Sequence, residues 1–429
     1  MEMGIDHVNG EETRAFLVGC YRGNAYQEMC NEYLDELANL ADTFGVDVVG
    51  RMMCHLRKVE SATYLQSGKL EELAAQLTLK GANLVIFDEE ITPAQQRNLE
   101  KLLTVAVMDR TELILEIFAQ RAQTREAQLQ IELAQTEYEA PRLKRLWSHF
   151  SRQRASGGFL KGEGEKQLEI DRRLLKNKLQ KLNTELKEVQ RNRRVQTEQR
   201  RQSGIPTFAI VGYTNAGKST LLNALTDADV FVEDKLFATL DPTTRKFTLP
   251  NNQEVLLSDT VGFIRKLPHT VIAAFRSTLE AALNDDFLLH IIDVSHPQAE
   301  EHAQTTYEIL KELKADHEGI ITVLNKADAC ENQAQINKMR IKYPKNVVIS
   351  ARNKEGLDDL ASMMIKEIES RRKQINVRIP QSEYALVGLL HREGNVLFEE
   401  YEDNDVVMRV EVPLKILHQY TPYFEKSSP

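Results

Sequence analysis

Thr207-Phe208-Ala209-Ile210-Val211-Gly212-Tyr213-Thr214-Asn215-Ala216-Gly217-Lys218-Ser219 is the stretch on which the fold turns. It opens with a continuous apolar run, the pattern of a strand covered on both faces of a parallel sheet. The run leads without a break into a complete GxxxxGK[ST], and Thr220 to Leu225 then has the make-up of a helix. Strand, glycine loop and helix in that order predict a phosphate cradle. Backbone N–H groups of Gly212, Tyr213, Thr214, Asn215, Ala216 and Gly217 would converge on the phosphates, Lys218 would reach the β and γ groups, and Ser219 would ligate Mg2+.

Working outward, three further strand patterns deliver polar loops. Glu254 to Ser258 ends at Asp259-Thr260-Val261-Gly262, where a carboxylate can serve the metal through water and the Gly262 amide can sense a γ-phosphate. Ile320 to Leu324 delivers Asn325-Lys326-Ala327-Asp328. The Asp328 carboxylate can accept from guanine N1–H and the exocyclic amine, whereas adenine would leave it unpaired. Asn325 would orient this loop or reach the base edge, and the Lys326 stem would cover a ring face. Val347 to Ile349 leads to Ser350-Ala351-Arg352, whose amides could contact guanine O6. A threonine closing over the metal must lie between the cradle helix and Asp259. The segment Phe237-Ala238-Thr239-Leu240-Asp241 supplies Thr239, with Thr243 and Thr244 as alternatives. Lys218, Thr239 and Gly262 are the candidate catalytic groups. Phe263 stands where many GTPases place the glutamine that orients water, so intrinsic turnover is expected to be slow and partner-stimulated.

Around this α/β domain, a P-loop arrangement of mostly parallel strands flanked by helices at residues 203–372, the chain divides further. Of its 429 residues, 42% are hydrophobic and 28% charged, and no apolar run approaches the ~20 residues of a membrane span. The beginning of the chain lacks a secretory pattern, and the four cysteines are scattered without CxxC spacing, so the cytoplasm is the expected compartment. Short apolar strands alternating with amphipathic stretches predict an N-terminal α/β subdomain at 1–110. Thr111 to Ala140 contains no Pro or Gly and reads as one helix ending at Pro141. Leu168, Leu175, Leu182 and Val189 then recur at heptad spacing, with Leu179 and Leu186 in the alternate seam position. Two long helices joined by a basic, glycine-rich tip predict an antiparallel hairpin over 111–202. The net charge of −9 is unevenly spread, because Arg142 to Arg201 is rich in Lys and Arg. Residues 373–429 read as a small α+β domain.

The motif order, together with Asp259-Thr260-Val261-Gly262-Phe263-Ile264-Arg265-Lys266-Leu267-Pro268-His269, resembles the HflX family of ribosome-associated GTPases. Asp109-Arg110-Thr111-Glu112-Leu113, Glu132-Leu133-Ala134-Gln135, Pro141-Arg142-Leu143 and Gln167-Leu168-Glu169-Ile170-Asp171-Arg172-Arg173 resemble that family's N-terminal signatures. The resemblance implies GTP and GDP as ligands with Mg2+. It also implies binding of the large (50S) ribosomal subunit through the hairpin at 142–201, and splitting or rescue of stalled ribosomes under stress. The hairpin tip maps to roughly 148–166, where Arg152, Arg154, Lys161 and Lys166 could meet rRNA phosphates and Phe159 could stack on a base. Here Gly162-Glu163-Gly164-Glu165-Lys166 replaces the family's Gly-Pro-Gly-Glu-Thr. A cytoplasmic, ribosome-visiting monomer is expected. The rival reading is a P-loop GTPase of ribosome assembly, or an RNA-binding protein, without splitting activity; an ATP-using P-loop enzyme is a more distant one.

Overall fold

The structure, a computed structural model, describes residues 12–142, 163–201, 205–226, 235–237, 240, 243–267, 285–313 and 319–424. The chain forms two compact units, one made of residues 1–188, 233–241 and 266–276, the other of 189–232, 242–265 and 277–429.

The first unit is built on β1 (Arg14–Tyr21), β2 (Asp47–His55), β3 (Leu84–Phe87) and β4 (Ala106–Asp109), all parallel in the order β2-β1-β3-β4. Between them run α1 (Gln27–Phe44), α2 (Ser67–Lys80) and α3 (Pro93–Leu103). Leu73 and Leu77 of α2 and Leu99 and Leu103 of α3 join Phe16, Val18, Val85 and Phe87 in one apolar cluster. Each such side chain contributes roughly 1.5–3 kcal/mol when fully buried. Thr92 and Gln95 close a reciprocal capping box at the start of α3.

The helix expected over 111–140 is two helices. α4 (Arg110–Arg121) stops at Ala122, which is extended, and α5 (Arg125–Glu139) restarts with the Thr124 hydroxyl accepting the Ala127 N–H at 3.2 Å. An N-cap threonine satisfies an N–H that would otherwise be an orphan, so it starts a new helix within a polar stretch that has no Gly or Pro to mark the break. α6 (Glu163–Arg201) lies antiparallel to α5, for Lys178 pairs with Glu132 at 2.9 Å and Arg125 with Glu185 at 2.6 Å. Of the seam residues, Leu182 and Leu186 are buried and Leu175, Leu179 and Val189 half-buried.

Charge inside this unit is structural. Arg110, 2% exposed, pairs with Asp88 at 2.9 Å and with Glu36; removing one partner of such a buried pair costs about 3–5 kcal/mol. The basic run begins, as a surface, later than expected. Arg142 is buried, donates to the carbonyls of Ile91 at 2.9 Å and Tyr138 at 3.1 Å, and lies 3.6 Å from the Tyr138 ring centre. It is committed to the interior and is not a phosphate contact. Of the expected tip at 148–166, residues 148–162 lie outside the described residues, as does the side chain of Lys166. The unit also takes in Phe237, edge-on to Phe118 at 4.6 Å, and Lys266, whose ammonium reaches Asp88 at 2.8 Å and Glu89 at 2.6 Å.

The second unit carries the sheet β10-β9-β8-β5-β7-β6. Its strands are β5 (Thr207–Gly212), β6 (Thr243–Thr248), β7 (Glu254–Asp259), β8 (Phe287–Asp293), β9 (Ile320–Asn325) and β10 (Asn346–Val348). All are parallel except the edge strand β6, which runs antiparallel to β7. α7 (Lys218–Thr226), α8 (Ala299–Glu312), α9 (Gln333–Lys342) and α10 (Leu357–Ser370) flank it. β11 (Arg372–Pro380), α11 (Tyr384–Glu393), β12 (Asn395–Glu402) and β13 (Asp405–Pro413) complete the unit as a three-stranded antiparallel sheet with one long helix. No helix among the described residues is long and apolar enough to cross a membrane.

His290, in the middle of β8, is fully buried, and neither ring nitrogen has a hydrogen-bond partner among the described residues. Burial pulls its pKa down to about 3 from 6.5. Below pH ~6.5 the unfolded chain takes up a proton that the folded chain refuses. Stability should therefore fall as the pH drops towards 3, by at most ~1.4 kcal/mol per pH unit. A His290→Leu chain should lose this part of the slope in denaturant melts run between pH ~5 and ~7; parallel slopes for the two chains would refute it.

Candidate functional site

Because β5, β7, β9 and β10 run parallel, their carboxyl ends share one edge of the sheet, where open parallel sheets bind ligands. The loop from Gly212 to Lys218 curls tightly, with Asn215 at φ 58° and Gly217 at φ 92°. A Cβ on Gly217 would collide with the Asn325 amide nitrogen, so only glycine lets the two loops approach this closely. α7 starts at Lys218 and turns its N–H groups and positive dipole end towards the loop. The Lys218 side chain is buried and its ammonium donates to the carbonyls of Tyr213 at 2.8 Å and Gly212 at 3.3 Å. Burial lowers its pKa to about 8, against the opposing pull of Asp259. A phosphate beside it would add negative charge to that of Asp259 and favour the ammonium form.

Asp259 is fully buried at the end of β7. Its Oδ2 accepts the Ser219 hydroxyl at 2.7 Å and its Oδ1 the Thr260 N–H at 2.9 Å. Thr260 in turn donates its hydroxyl to the Ile210 carbonyl at 2.8 Å, tying this loop to β5. Val261 is buried, and Gly262 lies against the cradle: a Cβ there would stand 2.8 Å from Thr214 Cγ2 and 2.9 Å from Lys218 Nζ.

Of the two roles open to Asn325, the structure shows the first. Its Nδ2 donates to the Ala216 carbonyl at 2.9 Å and its Oδ1 accepts the Ala351 N–H at 3.0 Å, so one side chain joins the phosphate loop to both base-side loops. Lys326 sits at φ 61° with its ammonium 2.7 Å from Asp293, and the turn Ala327–Ala329 leaves Asp328 exposed. The Ser350 hydroxyl accepts the Asn353 N–H at 3.1 Å, and Arg352 is exposed.

Ala238, Thr239 and Asp241 lie outside the described residues. Phe237 and Leu240 are buried, Phe237 within the apolar packing of the first unit. Thr243 and Thr244 are strand residues of β6, and the Thr244 hydroxyl is 3.2 Å from that of Ser258. Sequence reasoning missed Asp293, the partner of Lys326. A buried run, Phe287-Leu288-Leu289-His290-Ile291-Ile292, ending in a carboxylate was the available signal.

A buried ammonium, a glycine loop at a helix start, an aspartate bonded to the serine that follows the lysine, and an asparagine bridging the loops are the apparatus of a P-loop GTPase. Comparison with known proteins agrees. Residues 207–326 match the family model described as "50S ribosome-binding GTPase", residues 31–119 that of "GTP-binding GTPase N-terminal" and residues 121–200 that of "GTP-binding GTPase Middle Region". The chain is 48% identical to GTPase HflX of Chlamydia pneumoniae over 417 residues, 96% of this chain and 88% of that one. It is 38% identical to GTPase HflX of Escherichia coli (strain K12) over 391 residues, 90% of this chain and 91% of that one. Among solved structures, a GTP-binding protein of Sulfolobus solfataricus in complex with GDP is 25% identical, with 83% of this chain and 98% of that one covered at a TM-score of 0.44. The chain belongs to the HflX family of GTPases.

Proposed function

We propose that this GTPase is a switch directed at the large ribosomal subunit, which it binds in its GTP form and leaves after hydrolysis. The observation that carries the nucleotide half of this reading is the convergence of the cradle, Asp259 to Gly262, Asn325 to Asp328 and Ser350 to Arg352 on one sheet edge, with Asn325 bonded to two of these loops. Base reading falls to Asp328, phosphate binding to Gly212–Ser219, and sensing of the γ-phosphate to Gly262 and Thr239.

Mg2+ fits the oxygen donors present. Ser219 Oγ and the Asp259 carboxylate meet at 2.7 Å beside Lys218, a hard-oxygen pair of the kind magnesium prefers. Bound there, the ion would neutralise charge on the β and γ oxygens.

The ribosome half rests on the family-model description and on α6, where Arg173, Lys176, Lys181, Lys187 and Arg191 are exposed. A helix with such a surface can track a phosphate backbone, and its affinity should fall with salt. In this reading residues 1–110 and 373–429 support a hairpin at 111–202 and a G domain at 203–372. Splitting or rescue of stalled ribosomes is the activity we assign. Co-sedimentation with separated subunits tests it: a non-hydrolysable GTP analogue should strengthen binding to the large subunit over GDP by about tenfold or more. Gradient profiles of intact ribosomes should then shift towards subunits. Equal binding in both nucleotides overturns the switch, and binding without a profile shift favours an assembly role.

A further inference from the structure

Within the cradle, Tyr213 makes contacts that phosphate binding does not require. Its ring lies flat on His302 of α8, with centroids 3.8 Å apart and planes 3° from parallel, and it is 5% exposed. Its hydroxyl accepts the Arg265 N–H at 2.9 Å. On either side of it the backbone is stitched to the residue after Gly262. The Phe263 N–H donates to the Gly212 carbonyl at 3.0 Å, and the Thr214 N–H donates to the Phe263 carbonyl at 2.7 Å. Three hydrogen bonds thus clasp residues 263–265 to the phosphate loop, and the stacked ring fixes the outermost one to a rigid helix.

That clasp and a γ-phosphate want the same space. Gly262 stands so close to Lys218 that one added carbon would lie 2.9 Å from the ammonium. A phosphate held by both the Lys218 ammonium and the Gly262 amide needs hydrogen-bond distances of roughly 2.8–3 Å on each side. To make that room the segment from Gly262 onward would swing outward and loosen the clasp, the Phe263 carbonyl leaving the Thr214 N–H. The β-phosphate, seated in the loop itself, makes no such demand.

We propose that Tyr213 is a positioning residue that sets the discrimination between GTP and GDP, because breaking its hydrogen bond to Arg265 opposes the triphosphate alone. This inference rests on Gly212–Ser219 being the phosphate cradle. It requires no contact between the tyrosine hydroxyl and the nucleotide.

The test is Tyr213→Phe in the full chain, which keeps the ring and its stack on His302 and deletes one hydrogen bond. Dissociation constants for GDP and for a non-hydrolysable GTP analogue are measured by calorimetry, with a thermal melt to confirm the fold. The ratio of the analogue constant to the GDP constant should fall roughly two- to tenfold, the range of one neutral hydrogen bond. A purely structural tyrosine would weaken both ligands together and leave the ratio unchanged; that result, or a ratio that rises, overturns the inference. A wild-type chain that binds neither nucleotide overturns the cradle assignment itself.

Discussion

An Asp328→Asn chain is expected to exchange guanine for xanthine. A carboxylate offers two acceptors, which match guanine N1–H and the 2-amino group. The amide offers one acceptor and one donor, so its NH2 would face the guanine amine donor to donor. Xanthine keeps N1–H but presents an oxygen at position 2, which that NH2 can meet. Sites built to bond a donor reject its analogue strongly because a desolvated polar group is left without a partner. The expected change in the GDP-to-XDP affinity ratio is on the order of a thousandfold. The fold should not suffer, since Asp328 is exposed in a turn already fixed by Asn325 and by the Ala327 N–H on the Ile349 carbonyl at 3.2 Å. Calorimetry with GDP and XDP decides the matter. A variant that still prefers GDP would show that guanine is read elsewhere.

The second large effect belongs to Lys218. Its ammonium is desolvated and already aimed into the loop, so in the proposed reaction it would meet developing charge on the transferred phosphoryl group without reorganising. Lys218→Ala should slow single-turnover hydrolysis by roughly a hundred- to a thousandfold, the usual cost of one such donor. Stability of the free chain is measured beside the rate in a thermal melt, because the buried ammonium also carries hydrogen bonds to the Tyr213 and Gly212 carbonyls. That pairing separates lost catalysis from lost folding. A variant that hydrolyses GTP at the wild-type rate would remove Lys218 from the reaction.

How much of this could be read from residues depended on whether a residue's partner lay nearby in sequence. The glycine loop, Asp259, Asn325 and Ser350 each follow directly on a strand-like run, so the fold and the candidate site were legible together. β8 carries no motif of its own and was overlooked, and with it Asp293, although Lys326 depends on that carboxylate. The break between α4 and α5 was hidden because the polar, Gly- and Pro-free character of the chain persists through Ala122-Gln123-Thr124, and only the Thr124 cap marks it. Arg142 belongs by composition to the basic run, yet it is buried by bonds to Ile91 and Tyr138, one of them 51 residues away. Tyr213 occupies a position that the cradle pattern leaves free, and its partner His302 lies far along the chain.

The Asn325 bridge has a consequence for how a nucleotide is held. A single amide fixes the span between the loop assigned above to the phosphates and the loops assigned to the base. Guanosine and pyrophosphate, offered separately, would each confront a half-site of modest strength. Joined through ribose they behave as a chelate, because seating one end delivers the other at high effective concentration to a partner already at the right distance.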